Sequence, residues 1–564
     1  MNKQTAQLLE KHFDIALETP DGVKKLRELI LTLAMQGELV KQDPKDQPAR
    51  ELLDLIDAEK KRLYKVGKIK KLDLLPEIKQ GDITYPAPKG WVWCNICAIS
   101  FKVTDGEHIT PQRSSSGYFL LSARNVTNEG ILLDDVDFVL KDEFERIRKR
   151  CDPEIGDILI SCSGSVGRIA IVDNDEYVMV RSAAVVKHAH EFVNSLFLAY
   201  SLRSPMAQLQ IIQKSKTTAQ SNLFIGKIKE ILIPLPPLAE QKRIVAKIDQ
   251  LMALCDKLET ERNERNAKRL AIHTSAINSL LTAKDKTVFN SSWKFITKNF
   301  SELYSVQDNV EELKKAILQL AVMGKLVPQE PKDQPAGELL KEIETEKKRL
   351  LKEGLIKKQE LLPLNKLAEV PYILPKNWEW CRIKEICHDW GQKTPDKKFT
   401  YIDVGAIDNT KGAITSNVQL LDSSEAPSRA RKIVKNGTVI YSTVRPYLLN
   451  IAILEEDYSH EPIASTAFAI LHPYDGILNR YVYYYLHSNP FIDYVNLQMK
   501  GVAYPAINDG NFFQGPFPLP PIAEQKRIVA KIDQLMSLCN SLVQQVNSST
   551  DKQTAILNAV LAKI

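Results

Sequence analysis

The sequence predicts an α+β multidomain chain built as an internal repeat, in which two mixed α/β domains alternate with long helices. Three observations carry this. One string of residues recurs almost verbatim in the two halves. Each recurrence opens a long stretch without glycine or proline on a heptad spacing. Between the recurrences lie short Val/Ile-rich runs separated by turns.

The repeat sets the organisation. PLAEQKRIVAKIDQLMALC at 237–255 returns as PIAEQKRIVAKIDQLMSLC at 521–539, with differences only at Leu238/Ile522 and Ala253/Ser537. PKDQPARELL at 44–53 returns as PKDQPAGELL at 331–340, and EKKRL at 59–63 returns at 346–350. Trp91, Trp93 and Cys94 fall on Trp378, Trp380 and Cys381. The middles diverge instead. GDILISCSGSVGRIAIV at 156–172 faces NGTVIYSTVRPYLLNIAIL at 436–454, and PMAQLQ at 205–210 faces PFIDYV at 490–495. Both copies have the same age, so near-identity in one part and divergence in another mean one shared task and two separate ones.

Each element follows from local pattern. Leu26, Ile30 and Leu33 before Gly37, mirrored by Leu313, Ile317 and Leu320 before Gly324, predict an amphipathic helix with a glycine stop. A second helix is expected from Pro48 or Pro335 to about Gly67 or Gly354, with EKKRL as a solvated face. The middles read as strands, with SGSVG a hairpin turn or a backbone approach to a phosphate, and one helix following at 194–212 and at 478–497. After Pro237 the pattern runs helical to about Leu281. Ile244, Ile248, Leu251, Cys255 and Leu258, repeated as Ile528, Ile532, Leu535, Cys539 and Leu542, form a heptad seam; a core helix of a globular domain could carry it, but the length of the run predicts a coiled coil between the copies. The expected boundaries are a helical region at 1–85, an α/β domain at 86–235, a long helix at 236–283 and a linker at 284–294. They continue with a repeated helical region at 295–372, a second α/β domain at 373–519 and a second long helix at 520–564.

Composition is that of an ordinary soluble protein, 44% hydrophobic and 26% charged, for which the cytoplasm is the default location, with a net charge of +6 that is compatible with a polyanionic partner without demonstrating one. MNKQTAQLLE lacks the apolar core of a secretion signal, and no apolar run is long enough for a membrane span. Cys94 and Cys97 form a CxxC pair with no second pair downstream, so buried thiols are expected and no metal site. The nine histidines show no pairing at ligand spacing. There is no GxxxxGK[ST] loop and no HExxH, and Asn489-Pro490-Phe491 is only a fragment of the loop an adenine methyltransferase needs. The chain alone reads as non-catalytic, with no cofactor of its own.

The ordered set of TDGEHITP at 104–111, GDILIS-x-SGSVGRIAIV at 156–172 and IxIPLPPLAEQ at 231–241, together with the duplication, resembles the specificity subunits of type I restriction-modification enzymes over nearly the whole chain. The second domain departs from that pattern, with GQKTPD at 391–396 and STVRPYLLN at 442–450 in the corresponding places. The resemblance implies two target recognition domains, each reading half of a bipartite double-stranded DNA target, and long helices packed antiparallel as a ruler with pseudo-twofold symmetry. It implies two modification subunits that methylate adenine with S-adenosylmethionine, and restriction subunits that cleave with ATP and Mg. Those cofactors belong to the partners.

On this reading the DNA contacts are expected from Lys and Arg to phosphate and from Arg, Asn, Gln, Ser or Thr to base edges. In the first domain the candidates are Asp105, His108, Arg113, Ser114, Arg124, Asn125 and Arg168, then Lys214, Lys216, Thr217, Thr218, Gln220 and Asn222. In the second they are Gln392, Lys393, Lys397, Lys398, Arg445, Tyr447, Lys500, Tyr504 and Asn508. Two competing readings stay open at this point: a fused or type II-like DNA methyltransferase recognition protein, and a stand-alone DNA-binding regulator.

Overall fold

A computed structural model describes Thr19 and residues 21–69, 77–215, 221–283, 285–356, 370–501 and 504–561. It divides into two units, Met1–Glu264 with Thr550–Ile564, and Arg265–Ser549, so the division falls inside the two long helices. Among the described residues no helix is long and apolar enough to cross a membrane.

The first unit starts with helix Gly22–Met35, which buries Val23, Ile30, Ala34 and Met35, and helix Ala49–Lys65, which buries Leu52 and Ile56. Among the described residues ten strands follow: β1 (Val92–Asn95), β2 (Ser100–Asp105), β3 (Arg113–Ser114), β4 (Tyr118–Leu121), β5 (Asp137–Val139), β6 (Ile158–Ser161), β7 (Ile169–Ile171), β8 (Tyr177–Met179), β9 (Ala183–His188) and β10 (Leu232–Leu235). They form two four-stranded sheets, in the orders β2-β9-β6-β7 and β3-β5-β4-β8. The first is antiparallel throughout, whereas β4 and β8 run parallel. The pair β1 and β10 closes the base of the domain, with Trp93 opposite Pro234.

The second unit repeats this plan with a changed edge. Strands Cys387–His388, Phe468–Pro473, Val439–Ser442 and Ile451–Ile453 reproduce the first sheet, and Glu379–Arg382 pairs with Pro516–Leu519 as β1 does with β10. The second sheet keeps the parallel pair, now Phe399–Ile402 beside Pro462–Ser465, but adds Ala430–Ile433 as a new edge strand. The first unit has helix Lys141–Arg148 on the connection where that strand arises.

Three expectations need correction. The single helix predicted after each set of strands is a pair, Ser195–Arg203 with Pro205–Ser215, and Asn479–Leu486 with Asn489–Gln498. The break falls at Pro205 and just before Pro490, because a proline ring excludes a continuous helical backbone ahead of it. The predicted linker at 284–294 is largely helical. Asp285 accepts the backbone N–H groups of Thr287 and Val288 and starts helix Lys286–Lys298.

The third correction concerns the heptad seam. The helices Leu238–Thr282 and Ile522–Leu561 form as expected. However, Ile244, Ile248 and Cys255 are buried in their own unit's core, with Val23, Ile30, Phe197 and Leu198. Arg27 of helix Gly22–Met35 pairs with Asp256 and Glu259 at 2.6 and 2.9 Å. Ile528, Ile532 and Cys539 likewise join the second unit's core, with Val310 and Ile317. Leu251, Leu535 and Leu542 pack partly buried on the same clusters, and Leu258 is half-buried. Apolar spacing tells that a helix face is covered, not what covers it.

The repeated string also supplies polar grips. The indole N–H of Trp91 donates to Glu240 at 3.0 Å and that of Trp378 to Glu524 at 3.0 Å. Arg243 pairs with Asp46 and Arg527 with Asp333, each at 2.6 Å. Gln241 accepts the N–H of Asn194 at 2.8 Å, and Gln525 that of Leu478 at 2.9 Å. Tyr200 donates to Asp249, and Tyr484 to Asp533. The near-identity of 237–255 and 521–539 is therefore in large part the requirement to seat a long helix on its domain twice.

Candidate nucleic-acid interface

In the first domain the DGEH turn is an ion-paired knot. Gly106 packs against the Met179 carbonyl so closely that any Cβ would overlap it, which accounts for glycine at this place. Asp105 is held by His108 and Arg150, each at 2.7 Å. Burial would raise its carboxyl pKa, but the Arg150 and His108 hydrogen bonds prevail and hold it below the ordinary range. Glu107 accepts the N–H groups of His108 and Ile109, and Arg146 approaches it at 3.1 Å. Asp105 and His108 thus build the turn. Arg146 and Arg150, which hold it from helix Lys141–Arg148 and the turn after it, carry no motif in the sequence.

The remaining candidates divide by whether their polar heads are already engaged. Arg113 pairs with Asp137 at 3.2 Å, Arg124 with Asp137 and Asp135 at 3.0 and 3.3 Å, and Lys214 with Glu230 at 3.3 Å. Ser114 donates to the Ser116 carbonyl. Asn125 is buried; its amide accepts from Ser122 and donates to the Leu132 and Asp135 carbonyls, which removes it as a base reader. Lys393 pairs with Glu461 and Asp396, and Asn508 caps helix Asp509–Phe513. By contrast Arg168, Gln392, Lys397, Lys398, Arg445, Tyr447, Lys500 and Tyr504 are exposed. Lys216, Thr217, Thr218 and Gln220 lie outside the described residues.

What the structure brings together is a hairpin and a distant strap. The SGSVG turn joins β6 to β7, and Ser163 bridges to Asn222, half-exposed beside it. In the second unit Val444 bridges to Ala506, which also bridges to Lys500. Thus 162–168 meets 222, and 443–450 meets 505–507, pairs far apart in sequence. The hairpin also touches the neighbouring turn in the first unit: Cys162 donates to the Ser182 carbonyl and Gly106 to that of Ala183.

Asp157, His188 and His190 place three ligand-type atoms within 4.8 Å of one another. Their partners are largely internal. Asp157 accepts the Glu154 N–H at 2.9 Å and His190 at 3.0 Å, with Lys187 at 3.4 Å. Burial, with His190 adding, lowers the His188 pKa to about 4, so it stays neutral. By strand register the second unit has Thr438 at the place of Asp157, His472 at that of Lys187 and Pro473 at that of His188, with the His472 pKa lowered to about 4 by burial. The grouping is thus confined to the first unit, where Lys187 and the Glu154 N–H already engage Asp157. All eight cysteines are buried and free, and burial pushes the Cys94 thiol up to about 12.

The profile of the type I restriction modification DNA specificity domain matches residues 110–265 and 375–549, the two halves described above. The chain belongs to this family. It is 32% identical to the type I restriction enzyme EcoAI specificity subunit of Escherichia coli, over 96% of this chain and 93% of that one. It is 29% identical to the EcoEI specificity subunit of the same organism over the same shares. The solved HsdS subunit from Thermoanaerobacter tengcongensis superposes with a TM-score of 0.40 at 19% identity, covering 85% of this chain and 98% of that one. As a type I DNA specificity subunit, the protein has DNA and restriction-modification subunits as partners, and the two α/β domains are its DNA-recognition domains.

Proposed function

We propose that each recognition domain reads one half of a bipartite double-stranded DNA target through its hairpin and strap, and that the subunit does no chemistry itself. The observation that carries this is the pair of unlike hairpins on one sheet order: SGSVG beside Asn222, and STVRPYLLN beside Ala506. A common frame with different tips suits two different half-sites. Arg168, Lys397, Lys398 and Lys500 are the phosphate-contact candidates; Gln392, Arg445, Tyr447, Tyr504 and Asn222 are the base-contact candidates, together with Lys216, Thr217, Thr218 and Gln220 on their chemistry alone. Arg113, Arg124, Lys214 and Lys393 reach DNA only by leaving an acidic partner.

Two modification subunits supply the S-adenosylmethionine chemistry, and restriction subunits supply cleavage with ATP and Mg. A face of the repeated string supports two equivalent docking places. Lys242, Ala246, Gln250 and Leu254 are exposed, and so are their identical counterparts Lys526, Ala530, Gln534 and Leu538. Leu254 and Leu538 are 52% and 59% exposed at the same place in the two copies, which offers a partner two like apolar contacts. The long helices act as the spacer between half-sites.

The test is a domain exchange in the assembled complex, replacing residues 95–233 with those of a relative, followed by methylome sequencing of the host. One half-site changes and the other stays. Changes in both, or methylation by the isolated chain, would refute the scheme. Native mass measurement of the Leu254→Asp, Leu538→Asp and double variants should show loss of one, one and two modification subunits. Full assembly of the double variant would remove the docking face.

A further inference from the structure

The two hairpins can be laid on one another residue by residue. Ser161 and Ser442 each donate a hydroxyl to a carbonyl of the turn, that of Ser165 at 2.5 Å and that of Val444 at 2.9 Å. The Ser161 N–H donates to the Arg168 carbonyl and the Ser442 N–H to the Asn450 carbonyl, both at 3.0 Å. Leu223 donates to Cys162 at 2.9 Å, and Ile507 to Thr443 at 3.0 Å. The two turns therefore occupy one place in two copies of the fold.

Both turns enter and leave through left-handed backbone. In the first unit these positions are Gly164 and Gly167, with φ of +69° and +88°, where glycine carries no steric penalty. In the second they are Arg445 and Leu449, at +49° and +51°, the only non-glycine residues with positive φ among the described residues. Side chains at such positions strain the backbone, and they persist where the side chain itself is needed.

The need differs between the two. Leu449 is partly buried and packs on the second unit's core, so the fold uses its side chain. Arg445 is exposed and faces no carboxylate among the described residues. Its guanidinium lies 5.1 Å from the ring centroid of Tyr504, itself 71% exposed, and its N–H donates to the Pro505 carbonyl at 2.8 Å. Tyr447 and Leu448, next in the turn, are exposed too. An arginine held on left-handed backbone and braced by an aromatic face is a planar two-pronged donor fixed in orientation, which matches the O6 and N7 acceptors of guanine.

Resting on the DNA-reading assignment above, we infer that Arg445, braced by Tyr504, reads a guanine in the half-site of the second domain. The first domain, with Gly164 at the equivalent place, has no side chain there to do so.

The experiment compares the assembled complex carrying Arg445→Lys or Arg445→Gly with the parent. It uses methylome sequencing and competition binding against duplexes substituted at each target position. Lysine keeps the charge without the fork, and glycine accepts the left-handed backbone, so Tm is not lowered in either variant. Both should lose about tenfold or more of the discrimination at one guanine-containing base pair of the second half-site, with the first half-site unchanged. An unaltered motif and unaltered discrimination in both variants would overturn the inference. So would an equal loss of affinity for all sequences with a shallower salt dependence, the signature of a phosphate contact. A parent complex without any sequence preference would instead fail the DNA-reading assignment, and the inference with it.

Discussion

The two units agree where a long helix is gripped and differ where the sheets end. At the grip, Trp91 and Trp378 donate to Glu240 and Glu524 at the same distance, 3.0 Å, and the buried Gln241 and Gln525 each bind a backbone N–H. At the sheet edges, one unit has helix Lys141–Arg148 and a glycine turn where the other has strand Ala430–Ile433 and a strained arginine turn. The difference follows burial. A buried polar group left without its partner loses its solvation with nothing in return, so the grip residues constrain one another. Exposed edges carry no such penalty and are free to take different ligands.

The largest effect that can break this comparison comes from the grip. Trp91→Ala removes a buried indole and orphans Glu240, so a loss of about 3–5 kcal/mol is expected in denaturant unfolding. Trp378→Ala should cost a similar amount; a variant of either that unfolds like the parent would refute the equivalence. Next is acid. His188 and His472 are held neutral at about 4, below the ordinary histidine value of 6.5. The unfolded chain therefore takes up protons that the folded chain refuses as pH falls through 6.5. Stability should drop between pH 6.5 and 4, by roughly 2–3 kcal/mol for each histidine. Thermal melts of His188→Gln and His472→Gln should each flatten that slope by a similar share, and an unchanged slope in either would sharpen the contrast to one unit.

Smaller again is Gln241→Ala, which leaves the Asn194 N–H without its acceptor at an expected cost of about 1–3 kcal/mol. Gln525→Ala, which does the same to the Leu478 N–H, should cost a similar amount. The smallest effect on folding belongs to the heads. Arg168→Ala should leave unfolding within about 0.5 kcal/mol of the parent. It should weaken binding to all DNA sequences alike and reduce the salt slope by about one. A measurable folding defect in Arg168→Ala would blur the line between grip and head.

Much of the fold was legible because its signals are local or repeated. Gly37 and Gly324 end helices, SGSVG turns a hairpin, and Val/Ile alternation marks strands. The candidate site was legible only in part. Arg113, Arg124 and Asn125 have the right chemistry for DNA, yet Asp135, Asp137 and backbone carbonyls already engage them. Those neighbours arrive by strand pairing, which no spacing reveals. Asp157, His188 and His190 meet for the same reason, across a turn and a neighbouring strand.

By itself the sequence determined that one unit occurs twice, that a long helix follows each α/β domain, and where the copies are free to differ, because identity and periodicity are properties of the chain. Only the tertiary structure decided what the repeated string grips, which cations remain unengaged, and that Arg445 stands where the other copy has glycine. Those depend on which surfaces meet, and burial and backbone conformation, unlike spacing, are assigned only when they do.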